Sequence, residues 1–291
     1  MPTMQLLQPA SLDEAVSLLS QHGDDARIVA GGTAVVLMLK NRLIAPEVLL
    51  SLGRLPGLRY VRHEPGSGLR IGALTTIREA ELSPVVREHN PTLAKTFGEV
   101  ANVRVRHAAT VGGNLSEADY ASDPPCVLVA MRARVKAVGP RGEREIPLTD
   151  FFTRFYETAL APDEVLTELI VPDPSPGTHS AYLKHVTRSS EDRPCVGIAA
   201  VVELAADGTC RDLRVVAGAV AERPQEIEAA EAQARGQRLT EALMDEVGQA
   251  YAAGIDTLSD VRGSEWYRQQ VTRVLVRRAI QQALAGGNGK R

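Results

Sequence analysis

Two pairs of glycines are the residues of this chain best suited to hold a ligand. Ala30-Gly31-Gly32-Thr33 and Thr110-Val111-Gly112-Gly113-Asn114 each stand where the chain leaves one element and reverses. Glycine admits φ > 0, which can point successive backbone N–H groups at one spot, and its missing side chain lets an anion approach. The first pair also opens an apolar helical stretch, Ala34–Lys40, adding amides without helical partners and the positive end of a dipole. A pyrophosphate could sit between two such turns without any lysine. Either pair taken singly is equally a plain tight turn. Neither is a G-x-G-x-x-G fingerprint, so a dinucleotide site of the Rossmann kind is not indicated.

Two side chains join them as candidates. Asp123 precedes Pro124, which reads as a helix N-cap followed by proline at the first helical position; it equally offers a carboxylate to a sugar hydroxyl. Lys184, with Arg188 and Asp192 after it, reads either as a cation stabilising an anionic ring or as part of a solvated loop with a weak salt bridge. Nucleophile elbows, H-E-x-x-H pairs and P-loops are missing. The six histidines, His22, His63, His89, His107, His179 and His185, have no spacing that specifies a metal or catalytic site. Cys126, Cys195 and Cys210 are too few for an iron–sulfur cluster and too far apart for a zinc knuckle. They are expected to be isolated, buried or half-buried thiols, and the chain is expected to hold no metal.

The elements that must position these residues begin with β-α-β alternation. Ser11 and Glu14 form a capping-box pattern ahead of the stripe Leu12, Ala15, Val16 and Leu19, and Gly23 ends that helix. Arg27–Ala30 and Val48–Leu52 read as strands of a small parallel sheet. From about Leu58 the pattern becomes antiparallel. Strand segments 60–62 and 69–71 flank a Pro65–Gly68 turn, Thr76 and Glu79 open a helix over Ile77–Leu82, and another helix runs from Pro91 to about Val100. A second glycine turn follows at 110–114, then a helix from Asp123, a hairpin around Pro140–Gly142, and a strand over Glu164–Val171. Pro172–Gly177 is the clearest linker. Beyond it, segments 181–187, 196–204 and 213–219 read as three strands with Asp207-Gly208 as a hairpin turn. Helices follow near 224–234, 241–253 and 265–284, the last capped by Ser264 and stopped by Gly286-Gly287.

At 291 residues the chain has room for two or three cores. Its 44% apolar and 24% charged residues are those of an ordinary soluble protein. A net charge of −3 with dispersed basic residues does not call for nucleic acid or an anionic membrane, and 4% aromatics are too few to stack a single strand. The apolar runs are too short to span a bilayer, and the N-terminus lacks a basic-then-apolar leader, so a cytoplasmic location is expected.

Taken in order, a longer set of motifs is far more specific. Ala30–Thr33, Asn102-Val103-Arg104 leading to Thr110–Leu115, and Ala118-Asp119-Tyr120-Ala121-Ser122-Asp123-Pro124-Pro125 come first. Leu160–Leu166, Lys184 with Arg188 and Asp192, Ser264–Arg268 and Arg277-Arg278-Ala279 follow. This set resembles the FAD-binding medium subunit of the xanthine dehydrogenase and carbon monoxide dehydrogenase family, over nearly the whole chain. The resemblance implies an α+β protein. A two-lobed FAD-binding fold of the p-cresol methylhydroxylase type would occupy residues 1–175, with a small parallel lobe at about 1–55 and a mixed or antiparallel lobe at about 56–175. A C-terminal domain of a three-stranded antiparallel sheet and about three helices would occupy 178–286.

The resemblance also implies roles. Val29, Ala30, Gly31, Gly32, Thr33, Ala34, Val35 and Lys40, with Thr110, Val111, Gly112, Gly113 and Asn114, would hold the FAD pyrophosphate. Asp123 would meet ribityl or ribose hydroxyls, and Leu166 and Lys184 would lie near the isoalloxazine ring. Val100 stands where some relatives carry an aromatic residue beside the cofactor, and Tyr120 where proline is frequent. With no histidine or cysteine beside either glycine pair, FAD is expected to be non-covalent, and a bulky residue at Gly112 or Gly113 is expected to abolish its retention while leaving the fold. By the same resemblance a large partner subunit carries molybdopterin and oxidises the substrate, and a small one relays electrons through [2Fe–2S] clusters. This chain would pass them through FAD to an external acceptor, within a heterotrimer or a dimer of heterotrimers, and no catalytic residue is required of it. A self-contained flavin oxidase or reductase, a scaffold subunit without flavin, and a non-flavin nucleotide binder remain as alternatives.

Overall fold

A computed structural model of the chain describes residues 4–286; Gly287, read above as part of the final helix stop, lies outside them. The N-terminal lobe contains β1 (Gln5–Leu7), α1 (Leu12–His22), β2 (Ala26–Val29), α2 (Val35–Lys40) and β3 (Val48–Ser51). Its sheet is parallel in the order β1-β3-β2. Ser11 caps α1 by accepting from the Glu14 amide, but Glu14 accepts from the Ala10 amide, not from that of Ser11, so the box is incomplete. Ala15, Val16 and Leu19 cover Leu50 and Leu52, and the core closes on Leu58, Leu74 and Val165 of the next lobe.

The second lobe runs through β4 (Val61–Glu64), β5 (Gly68–Gly72), α3 (Ile77–Leu82), α4 (Pro84–His89), α5 (Pro91–Glu99) and α6 (Val103–Ala108). It continues with α7 (Val111–Glu117), α8 (Asp123–Ala130), β6 (Arg134–Gly139), β7 (Gly142–Pro147) and α9 (Leu148–Phe151). The short β8 (Phe152–Arg154) and β9 (Glu157–Thr158) pair with each other, and β10 (Val165–Val171) closes the lobe. The main sheet is antiparallel, β4-β5-β10-β6-β7, with the last strand in sequence at its centre. Thr76 and Glu79 form a complete capping box on α3.

The C-terminal unit is an antiparallel sheet of β11 (Thr178–His185), β12 (Val196–Leu204) and β13 (Cys210–Gly218), followed by α10 (Glu228–Ala232), α11 (Glu241–Gly254) and α12 (Glu265–Gly286). Alternation along its strands gives the sheet two apolar faces. Ile198, Ala200, Val202, Val215 and Ala217 join Met244, Val247, Tyr251, Val276 and Ile280 of α11 and α12 in one core. Tyr182, Ala199, Val201 and Val216 point the other way, into the core of the second lobe. Helix α8 lies between, and every one of its eight residues is buried. Cys126, Cys195 and Cys210 are all buried free thiols, as expected. Among the described residues no helix is long and apolar enough to cross a membrane.

Candidate functional site

A cleft of about 960 Å³ opens between the two N-terminal lobes and is bordered by the β11–β12 loop, a volume suited to a dinucleotide-sized ligand. It gathers Gly31, Gly32, Thr33, Ala34 and Val35 from one lobe, and Val100, Thr110, Gly113, Asn114, Asp123 and Leu166 from the other. The remaining expected residues lie elsewhere. Val29 and Ala30 run beneath the first turn, Lys40 is exposed at the far end of α2, Val111 and Gly112 face the core, and the Lys184 side chain sits behind Asp123.

The two glycine pairs differ in kind. At the first, the amides of Gly31, Gly32, Thr33 and Ala34 have no protein acceptor among the described residues, and all four residues line the cleft. All four residues are half-buried, which leaves these amides to an acceptor from outside the protein, water or a ligand. Only Gly32 uses positive φ, at 71°. Gly31 is glycine because the lobes touch there: a Cβ would lie 1.9 Å from the Ala108 carbonyl oxygen.

The second pair is not a turn. Thr110 is an N-cap, and Gly112 and Gly113 form the first turn of α7. Their neighbours are already hydrogen-bonded within the protein. Val111 N–H donates to the Thr75 carbonyl, Gly112 N–H to that of Ala73, Gly113 N–H to Thr110 Oγ1, and Asn114 N–H to the Thr110 carbonyl. Gly112 permits close packing on β5, since a Cβ would come within 2.6 Å of the Ala73 Cβ. A bulky residue at Gly112 therefore disturbs the fold itself. Gly113 is the exposed member and faces the cleft, while the Asn114 amide bonds Ser122 Oγ at 2.9 Å.

Asp123 is the first residue of α8 and caps nothing; Ser122 occupies the cap position without a side-chain capping bond to the helix. Instead Asp123, a residue only 3% exposed, accepts through its carboxylate from Tyr182 Oη at 2.7 Å and from Lys184 Nζ at 3.0 Å. Lys184 also donates to the Glu99 carbonyl at 2.7 Å. The solvated-loop reading of Lys184 thus fails, because β11 extends to His185 and carries Lys184 into the interface, where its side chain is 5% exposed. It does hold for Arg188, whose pairing with Asp192 is exposed. Burial pushes the Asp123 carboxyl up to about 6 despite the Lys184 ammonium and the Tyr182 hydroxyl, which favour its charged form. Burial also drives Tyr182 well above the ordinary tyrosine range, with the Asp123 charge adding to it.

Other residues at the cleft have no role assigned by the sequence, Asp119 standing there only as part of a longer motif. Arg193 reaches across from the β11–β12 loop to pair with Asp119 at 2.8 Å. Glu117 is raised by burial and by Asp119, against Arg27 and Arg193. Long-range contact alone brings these together, and no local pattern announces it. The cleft wall contains no histidine or cysteine among the described residues, and no cluster there or elsewhere among them could hold a metal ion.

Comparison with known proteins covers the chain in two stretches. Residues 2–174 match the family described as the FAD binding domain in molybdopterin dehydrogenase, and residues 181–283 match the CO dehydrogenase flavoprotein C-terminal domain. The nicotine 6-hydroxylase medium subunit of Paenarthrobacter nicotinovorans is 32% identical over 97% of this chain and 98% of its own length. The carbon monoxide dehydrogenase medium chain of Hydrogenophaga pseudoflava is 32% identical over 98% of each chain. A solved structure of carbon monoxide dehydrogenase from that organism, lacking the Mo-pyranopterin moiety of its cofactor, superposes with a TM-score of 0.93 at 34% identity. It covers 98% of this chain and 99% of that one.

Proposed function

This chain belongs to the family of FAD-binding medium subunits of molybdenum hydroxylases, and from that premise we propose that it passes electrons from the [2Fe–2S] clusters of a small partner subunit, through non-covalent FAD in the cleft, to an external acceptor. A large molybdopterin-binding subunit oxidises the substrate, within a heterotrimer or a dimer of heterotrimers. The FAD-binding unit spans residues 1–175, with lobes at about 1–55 and 56–175, and the C-terminal unit spans 178–286. Three unpaired thiols support a reducing, cytoplasmic setting.

The observation that carries the reading is the row of unpartnered amides at Gly31–Ala34 in a cleft of dinucleotide size. Those amides would take the pyrophosphate oxygens, with Val35 beside them and Gly113 leaving room on the facing wall. Asp123, already oriented by Tyr182 and Lys184, keeps lone pairs for a sugar or ribityl hydroxyl. Val100 and Leu166, both nearly buried at the cleft, offer an apolar surface for the ring. Lys184 acts through Asp123, its ammonium being bonded to that carboxylate and to the Glu99 carbonyl. The absence of histidine and cysteine from the described cleft wall supports attachment without a covalent bond. Bound FAD supplies a carrier that accepts single electrons and delivers one or two, which this protein's own side chains cannot do.

The visible spectrum of the purified chain, followed by denaturation, tests this directly. Bands near ~370 and ~450 nm with FAD in the supernatant are expected. A colourless protein that takes up no FAD, alone or assembled with its partner subunits, would overturn the reading.

A further inference from the structure

The loop joining α7 to α8 forms one wall of the cleft through Asp119, Ala121 and Ser122. It is held in an unfavourable shape, since Ala118 is left-handed at φ 48° without being glycine. What fixes it lies behind it, in the C-terminal unit. Tyr120 is absent from the cleft wall, and its hydroxyl donates to Asp260 Oδ2 at 2.7 Å and accepts from Arg262 at 2.8 Å. The Tyr120 carbonyl accepts from the Ala219 amide at 3.1 Å, and its ring meets Phe155 edge-on at 5.2 Å. Asp260 is itself anchored by Arg268, which is fully buried and also donates to the carbonyls of Cys195 and Ala219. Burial works against the Asp260 charge, but bonds from Tyr120 and the Arg262 amide and the charge of Arg268 hold its carboxyl down to about 2. The clasp is therefore ionised throughout the working pH range.

We propose that Tyr120, with Asp260 and Arg262 behind it, is a positioning residue for the cofactor cleft, through which the C-terminal unit contributes to FAD affinity. The inference rests on the FAD reading above. Its route is short: the far end of the loop is Ser122, bonded to Asn114 at the glycine-bearing helix, and the next residue is Asp123. With the clasp intact the wall is already in place when FAD arrives; without it, binding must order the loop.

The test uses the full chain, titrating FAD by its fluorescence and following apo-protein unfolding in parallel. In Tyr120→Phe, which keeps the ring contact with Phe155, the FAD dissociation constant rises on the order of tenfold, about 1.4 kcal/mol, while the apo unfolding midpoint stays close to wild type. Arg262→Gln shifts affinity in the same direction by less. Because Tyr120 acts through the Ser122–Asn114 link, its effect shrinks in the background of Asn114→Ala, a sub-additivity that a merely structural role would not produce. A Tyr120→Phe chain that binds FAD as wild type does, or whose loss is additive with Asn114→Ala, overturns the proposal. Wild type that binds no FAD, alone or in its complex, instead overturns the FAD reading and this inference with it.

Discussion

Replacing Lys184 by methionine tests the electrostatic centre of the site. The ammonium and the Asp123 carboxylate are 3.0 Å apart with both side chains 5% exposed, so neither has water to fall back on. In the wild type, burial already raises the Asp123 carboxyl from 3.8 to about 6. Between those values the folded chain holds a proton that the unfolded chain has released, so stability falls as pH rises through that window. Well above 6 the charge is fully present and costs about 3 kcal/mol relative to acid. Lys184→Met removes the cation that favours the charged form, which pushes the carboxyl higher and extends the window toward neutrality. At pH 8 the variant should lose about 3–5 kcal/mol, the usual consequence of orphaning one member of a buried pair. At pH 5.5 the carboxyl is protonated and the loss should shrink to about 1–2 kcal/mol, the lost hydrogen bonds alone. Urea unfolding of the FAD-free chain at the two pH values measures the difference. The double variant Asp123→Asn/Lys184→Met, which keeps an acceptor for Tyr182 and has no charge, should return to within about 1 kcal/mol of wild type. A deficit equal at both pH values, or a double variant no better than the single one, would refute the argument.

The glycines make contrasting predictions. Gly31→Ala forces a Cβ into the Ala108 carbonyl and should separate the lobes, abolishing FAD retention in a spectral titration. Gly32→Ala meets Val36 at 3.4 Å and Val29 at 3.7 Å but must hold φ 71°, so it should lose about 1 kcal/mol and still bind. Gly112→Val presses on Ala73 of the second lobe and should lower the unfolding midpoint by about 1–3 kcal/mol of stability, even with FAD absent; an unchanged midpoint would contradict the packing argument. All three thiols are buried, and burial raises Cys126, Cys195 and Cys210, the last up to about 11. A disulfide reagent should therefore find none that reacts rapidly in the native chain and all three after denaturation.

Punctuation made most elements legible in the sequence, while what depends on distant partners was not. Gly23, the Thr76–Glu79 box, the 140–142 hairpin turn and Asp207-Gly208 act within a few residues, and the structure places elements beside them as read. The strand Gln5–Leu7 is not legible because three residues carry no period; pairing with β3 makes it a strand. Helix α6, Val103–Ala108, alternates apolar and basic residues as a strand would, and only the Asn102 cap marks it as a helix. At Thr110 the cap was hidden by the glycines that follow it, because T-x-x-G lacks the acidic residue that completes a box. A pair of glycines therefore reads as a turn, although Gly112 is what lets α7 approach Ala73 at the end of β5. The same logic applies to Lys184. Nothing local distinguishes it from a solvated lysine, and its partner Asp123 is supplied by another unit of the fold.

That last point bears on what the Pro172–Gly177 segment separates. It divides the chain covalently, yet α8 on one side packs on β12 and β13 on the other, and Tyr182, Ala199, Val201 and Val216 belong to the core of the second lobe. Asp123, the first residue of that helix, takes both of its side-chain hydrogen bonds from β11. Removing the C-terminal unit would leave its carboxylate without either partner and uncover α8, whose burial depends on that sheet. The cleft lies mostly between the first two lobes, but the orientation of its most buried carboxylate is set by the third unit, so the geometry of the cleft is a property of the whole chain.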